Sequence, residues 1–257
     1  MTVAVASSCV ACGACIVTCP ERALRPAVRR PAVVAELCID CLACLEVCPV
    51  DAIVPPAPVH PIEEESYRIM AGRVDLSAWE DGARDVVARM IHATADESFA
   101  ETALVGDRAV EAAVAALTAG APVVCDARMV AAGIPSVAGA HCFLDRVPQA
   151  PPGDTRSAAA IRLAAERFPD GALWVIGNAP TALFALVDLH AAGAVRPGAV
   201  IGLPVGYVGA AESKAALWDS PLRPVAIANR GVRGGSPVAA AAVNALARLA
   251  GTRRGSL

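Results

Sequence analysis

Cys9-Val10-Ala11-Cys12-Gly13-Ala14-Cys15-Ile16-Val17-Thr18-Cys19-Pro20 and Cys38-Ile39-Asp40-Cys41-Leu42-Ala43-Cys44-Leu45-Glu46-Val47-Cys48-Pro49 are two copies of one pattern, C-x2-C-x2-C-x3-C-P. Thiolates three residues apart can each hold one corner of a four-iron cubane, and a fourth must come from elsewhere. In this spacing the last cysteine of each run ligates the other cluster. The expected ligand sets are therefore Cys9, Cys12, Cys15 and Cys48 for one 4Fe-4S cluster, and Cys38, Cys41, Cys44 and Cys19 for its twin. The runs are offset by 29 residues at all four positions, which marks an internal duplication with pseudo-twofold symmetry.

Two other uses of cysteine fit less well. Structural zinc takes ligands as separated pairs that close one tetrahedron, which leaves triplets with a distant fourth thiol unexplained. Disulfides need an oxidising compartment. Met1 to Ser8 has neither a basic start nor a long apolar run, so no signal peptide and a cytoplasmic chain are expected. Residues 1–59 contain no aromatic side chain, so metal bonds must supply the stability that so small a core lacks. Cys125 and Cys142 lie far downstream and read as ordinary buried thiols.

The chain has 257 residues, room for this module and one further domain of about 200 residues. A net charge of −3 does not point to nucleic acid. No run of apolar residues is long enough to span a membrane. Lys214 is the only lysine. The proline-rich stretch Val54 to Pro61, holding His60, reads as a stiff linker. The expected organisation is a cluster domain over 1–55, a linker over 56–62 and a second domain over 63–257.

In the second domain, Ser77-Ala78-Trp79-Glu80 has the form of a capping box opening a helix that runs to about His92. Expected strands are Pro122 to Cys125, Cys142 to Leu144, Leu173 to Ile176, Val200 to Leu203 and Pro224 to Ala228. Expected helices are Asp107 to Thr118, Asp154 to Phe168 with Asp154 as N-cap, Thr181 to Ala191, Ala210 to Trp218 and Pro237 to Leu249. This alternation predicts an α/β fold: a mostly parallel sheet with helices on both faces, preceded by a small α+β domain. Ligands of such sheets bind beyond the carboxyl ends of the strands. The loops there are CDARM (125–129), IGNAPTAL (176–183), GLPVGYVGAAESK (202–214) and NRGVRGGSPVA (229–239). Their small residues let backbone amides approach a ligand, and three of them run into helices whose N-termini suit carboxylates or phosphates. There is no dinucleotide fingerprint and no P-loop.

Projected on a helix, Trp79, Ala83, Val86, Val87 and Met90 share one side, and Asp85, Arg89 and His92 the other. A lone histidine is more often structural, but one off the apolar stripe and one turn from an arginine suits a site that binds an acid and moves a proton. His190 follows apolar residues at helical spacing and reads as a core or interface histidine; His141 opens a short strand. Arg156, in the first turn of its helix, opposes the helix dipole, which favours a functional role. Glu63-Glu64-Glu65 reads as a solvated helix start.

Across residues 5 to 54, with all eight ligands, the chain resembles two-cluster bacterial ferredoxins. Over roughly 62 to 251, the loop motifs together with MIHA (90–93) and TRSAAA (155–160) resemble the precorrin-8X methylmutase family of cobalamin biosynthesis. That resemblance implies an isomerase that moves a methyl group between adjacent ring carbons of precorrin-8X or cobalt-precorrin-8, giving hydrogenobyrinate or cobyrinate. It also implies a homodimer with a tetrapyrrole bound near the subunit interface, and no cofactor for the methyl shift. By motif, His92 matches the catalytic histidine, and Ser66, Arg89 and Arg156 match positions near the substrate. ESYRIM (65–70) is followed by a departure from the family: Arg73 stands where a glutamate is usual, and Ala71 where an arginine is. The chemistry fits a flat macrocycle edged with acetates and propionates, which arginines and helix N-termini would hold. The fused clusters imply a redox partner in the corrin pathway. Two other functions are a corrinoid-binding electron carrier without turnover, and clusters that serve only as scaffold or oxygen sensor.

Overall fold

The computed structural model describes residues 3–39, 41–55, 61–137 and 139–251. The chain divides between Glu64 and Glu65 into two compact units. Most of the proline-rich linker, including His60, lies outside the described residues, as do 252–257 of the expected second domain.

The first unit repeats itself. Its elements are β1 (Ala4–Val5), α1 (Ala14–Thr18), β2 (Leu24–Arg25), β3 (Ala32–Val33), α2 (Ala43–Glu46) and β4 (Ile53–Val54). Strand β1 pairs antiparallel with β4, Ala4 opposite Val54, and β2 with β3, Leu24 opposite Val33. Each helix follows the second cysteine of its run and starts from a left-handed residue, Gly13 in one copy and Leu42 in the other. Arg22 and Asp51, again 29 apart, are left-handed too, with φ of 53° and 48°. Leucine, arginine and aspartate adopt that conformation at a cost of about 1 kcal/mol or more. The core is small: Val3, Val5, Leu24 and Ile53 with Cys15 and Cys44.

Helix α3 (Pro61–Ala71) carries Glu63 and Glu64 in its first turn, where a helix dipole favours acids, and the second unit takes it in from Glu65 on. There follow α4 (Asp81–Thr94), α5 (Phe99–Thr102), β5 (Ala103–Val105), α6 (Ala109–Thr118), β6 (Val123–Cys125), α7 (Arg128–Ala132) and β7 (His141–Cys142). The chain continues through α8 (Arg156–Arg167), β8 (Leu173–Ile176), α9 (Pro180–Ala191), β9 (Ala199–Gly202), α10 (Ala210–Trp218), β10 (Ala226–Asn229) and α11 (Ser236–Leu249). The six strands form one sheet in the order β5-β10-β9-β8-β6-β7. Only β5 runs antiparallel, pairing Ala103 with Asn229 of β10.

Side chains alternate across this sheet as a two-residue period requires. Leu173 and Val175 of β8 face a core shared with α4, α6, α7 and α11, while Trp174 and Ile176 face one shared with α8, α9 and α10. Both faces are covered, so β8, β9 and β10 are buried throughout and read as apolar runs rather than alternations. Helix α11 is buried nearly all round, which its alanine-rich sequence Pro237 to Ala247 permits by letting α4 pack closely.

Several expectations shift in detail. The capping box does not form. Ser77 N–H instead bonds Asp75 Oδ1 at 2.8 Å, Arg84 clasps the Leu76 and Trp79 carbonyls, and α4 starts at Asp81 after Glu80. The N-cap of α8 is Thr155 rather than Asp154: Thr155 Oγ1 accepts the Ala158 N–H at 3.1 Å, and Asp154 is drawn instead to Arg162. Edge strand β5 has three residues, too few for a period to show, and its register comes from β10. Strand β7 starts one residue earlier than expected and ends two earlier. All four loops at the carboxyl ends of β6, β8, β9 and β10 run into helices, CDARM into the short α7.

Candidate functional site

Helix α4 turns Val86, Val87, Met90 and Ile91 into the core and leaves Arg89 and His92 half-buried beside α3. From α3, the Tyr67 ring lies nearly parallel on the His92 imidazole, with centroids 4.5 Å apart and planes 12° from each other. The Tyr67 hydroxyl accepts a hydrogen bond from Arg89 Nη1 at 3.3 Å. Ser66, the neighbour of Tyr67, is half-buried. Three of these residues thus form one cluster: an imidazole, a cation one turn before it and an aromatic shelf. A cavity of about 700 Å³ runs from Tyr67 and Arg89 past Met70, Ala71, Arg84 and Asp85 to Arg248 of α11. Ala71, where the family has an arginine, lines it; Arg73 pairs with Glu97 at 3.4 Å.

Arg156 stands on another element, at the first turn of α8. Its Nε donates to the Val147 carbonyl at 2.7 Å and its Nη2 to that of Leu144 at 3.1 Å. These bonds fold the preceding loop against the helix and use two of the five guanidinium donors; the side chain stays exposed. The Thr155 and Thr181 hydroxyls, 2.7 Å apart, join the N-termini of α8 and α9.

The loops at the carboxyl ends of the strands are held by buried polar groups that the sequence did not single out as a network. Asp126, 1% exposed, accepts the N–H groups of Gly177, Asn178 and Ala179 at 2.9, 2.9 and 2.7 Å. Burial pushes its carboxyl up, and those three amides pull it down. Gly177 cannot be replaced there: a Cβ would fall 2.7 Å from that of Ala239. Lys214, also 1% exposed, donates to Asn229 Oδ1 at 3.0 Å and to the Arg233 carbonyl, and Asn229 Nδ2 donates to the same carbonyl. Burial lowers the lysine to about 8. The only lysine therefore ties the loop after β10 to α10. Gly234, with φ of 153°, passes so close to the Leu203 carbonyl that no side chain fits.

The remaining candidates have ordinary places. His190 Nδ1 lies 3.0 Å from the Val195 carbonyl, and His141 is exposed beside the Phe168 ring. Cys125 is buried and Cys142, its register partner on β7, half-buried; burial pushes both thiols up.

In the first unit, Cys15 lies among Cys9, Cys12 and Cys48, and Cys44 among Cys19, Cys38 and Cys41. Burial pushes Cys15 and Cys44 up, with the neighbouring thiols adding to it. The N–H groups of Val50, Ala52 and Ile53 hold the Cys48 thiol down. Backbone N–H groups also point at sulfur from Ala11 to Cys9 (3.4 Å), Ala23 to Cys19 (3.2 Å) and Ala52 to Cys48 (3.1 Å). Amides aimed at sulfur favour thiolates, and two sets of four neighbouring cysteines are the donor type that a four-iron cluster takes. Among the described residues, no three His, Cys, Asp or Glu side chains are placed to close around a single metal ion. No helix among them is long and apolar enough to cross a membrane.

The fold is a doubly wound α/β domain in which His92, Arg89 and Tyr67 cluster, preceded by a duplicated cysteine module. Residues 61–249 match the family profile "Precorrin-8X methylmutase", and residues 8–52 match "4Fe-4S dicluster domain". The chain belongs to the precorrin-8X methylmutase family and is an isomerase. A precorrin-8X methylmutase of Sinorhizobium sp. is 44% identical over 198 residues, 73% of this chain and 93% of the relative. A cobalt-precorrin-8 methylmutase of Methanocaldococcus jannaschii is 35% identical over 175 residues, 66% of this chain and 81% of the relative. The crystal structure of a precorrin-8X methylmutase from Thermus thermophilus superposes with a TM-score of 0.67 at 38% identity, covering 76% of this chain and 98% of that one.

Proposed function

We propose that the chain moves a methyl group between adjacent ring carbons of precorrin-8X or cobalt-precorrin-8, yielding hydrogenobyrinate or cobyrinate, with His92 as the acid and base. The observation that carries this reading is the half-buried His92 imidazole, stacked on Tyr67 one turn from Arg89. An imidazole can protonate a ring nitrogen, withdraw electron density while the methyl migrates, and take the proton back. The shift is isomeric, so no electrons are gained or lost. Arg89 on the cavity wall, Ser66 beside Tyr67, and Arg156 through the guanidinium N–H groups its loop does not use, hold the macrocycle's carboxylates. The substrate sits near the interface of a homodimer, in a cytoplasmic protein.

Cys9, Cys12, Cys15 and Cys48 would hold one 4Fe-4S cluster, and Cys38, Cys41, Cys44 and Cys19 a second, in a domain spanning about residues 1–55. When bound, such clusters supply one-electron transfer. Because the isomerisation consumes no electrons, they serve a redox partner at another step of the pathway, cobalt reduction being the natural candidate. Matches to methylmutases of both precorrin-8X, over 198 residues, and cobalt-precorrin-8, over 175, support activity on either substrate. The test is His92→Ala, followed by the absorption change of the macrocycle. The expected loss is about 10²- to 10⁴-fold in kcat, and conversion at the parent rate would overturn the assignment.

A further inference from the structure

We infer that Tyr67 is a positioning residue that sets the plane of the His92 imidazole and couples it to Arg89. The inference rests on the reading of His92 as the proton-moving group. Tyr67 stands on α3 and the other two on α4, so the contact crosses between helices. Arg89 and His92 are three residues apart and share one face of α4. A single tyrosine reaches both, its ring over the imidazole and its hydroxyl at the guanidinium. The same ring lines the cavity that continues to Arg84 and Arg248.

The geometry dictates what this contact does. An imidazole exchanges protons through Nδ1 and Nε2, which lie at its edge. A second ring parallel to it at 4.5 Å covers one face rather than the edge. Turning the imidazole about its Cβ–Cγ bond would drive that edge into the tyrosine, so the stack holds both nitrogens in one plane. The hydroxyl anchor fixes the shelf itself. Without the anchor, the tyrosine ring would still cover the histidine; without the ring, the plane would be lost. Proton transfer to a fixed macrocycle nitrogen depends on that plane, and misplacement by about 1 Å costs on the order of 10²-fold in rate. The ring is thus the larger contributor and the hydroxyl the smaller.

The experiment compares Tyr67→Leu and Tyr67→Phe in the full-length protein, each also combined with His92→Ala. Tyr67→Leu should lower kcat about 10- to 100-fold with KM within about threefold of the parent, because the loss falls on the proton transfer. Tyr67→Phe keeps the ring and should restore kcat to within about threefold. In the His92→Ala background, Tyr67→Leu should leave the residual rate unchanged, as expected of two residues that act as one unit. The His92 ring protons should show an upfield ring-current shift by NMR in the parent and in Tyr67→Phe, and lose it in Tyr67→Leu. An unchanged kcat in Tyr67→Leu overturns the inference, as does a loss repeated in full without His92. Absence of the upfield shift in the parent overturns it without any variant. A fully active His92→Ala instead overturns the reading of His92, while an inactive His92→Ala beside a fully active Tyr67→Leu overturns only the role of Tyr67.

Discussion

The two units of this chain order themselves by opposite means. The second buries Trp174, Ile176, Leu183 and Ile201 on the two faces of a six-stranded sheet, and each such side chain contributes roughly 1.5–3 kcal/mol. The first has strands of two residues, helices of four and five, and a core of four aliphatic side chains and two cysteines. It also carries left-handed Leu42, Arg22 and Asp51, each unfavourable by itself. The difference teaches that one unit holds itself by its apolar residues, while the other has so few of them that bound metal would have to supply its stability.

Removing iron tests that contrast with the largest expected effect. Chelation or anaerobic purification without iron should abolish the ordered structure of residues 3–55, seen as loss of amide protection there. The isomerase unit should keep its thermal transition and its conversion of substrate. Retained protection in the first unit without iron would break the comparison.

Within the second unit, polar groups do locally what thiols do in the first. Asp126→Asn replaces a carboxylate that accepts three backbone amides by a group with one acceptor oxygen, and should cost about 1–3 kcal/mol of stability by denaturant titration. The accompanying exchange of the Gly177 to Ala179 amides should rise ahead of the sheet. Equal stability would show that the loop is held by packing alone.

Lys214 sharpens the same point through pH. Its folded value, about 8, lies below that of an unfolded lysine, near 10.4. Between these limits the unfolded chain binds the extra proton, so stability rises with pH across that window and the cost of burying the charge is fully present below it. The thermal midpoint of the parent relative to Lys214→Met should therefore rise from pH 8 to pH 10. A flat difference would mean that Asn229 and the Arg233 carbonyl compensate the burial fully. The smallest effect is expected at Thr155→Ala, which removes the cap of α8 and the bond to Thr181, at about 1 kcal/mol.

Much of this was legible in the chain. Strand β8 and helix α10 fall at their expected bounds, because a buried apolar run and a glycine-to-helix transition are local signals. The α4 stripe of Val86, Val87 and Met90 was equally plain from period alone, and the same projection placed Arg89 and His92 together on the other face. Edge strand β5 was not legible, since three residues show no period and its partner lies more than 120 residues away. The capping box expected at Ser77 does not form, because an aspartate two residues earlier takes the same N–H.

By itself, then, the sequence determined the duplicated thiol pattern, the α/β alternation and the one-turn spacing of Arg89 and His92. These depend on residues near one another in the chain, where covalent geometry and helical period set the outcome. Only the tertiary structure decided that Tyr67 covers His92, that Asp126 holds the loop some fifty residues downstream, and that the single lysine is buried. Those contacts join residues from different elements, and their partners are chosen by how helices pack on the sheet, which no local pattern encodes.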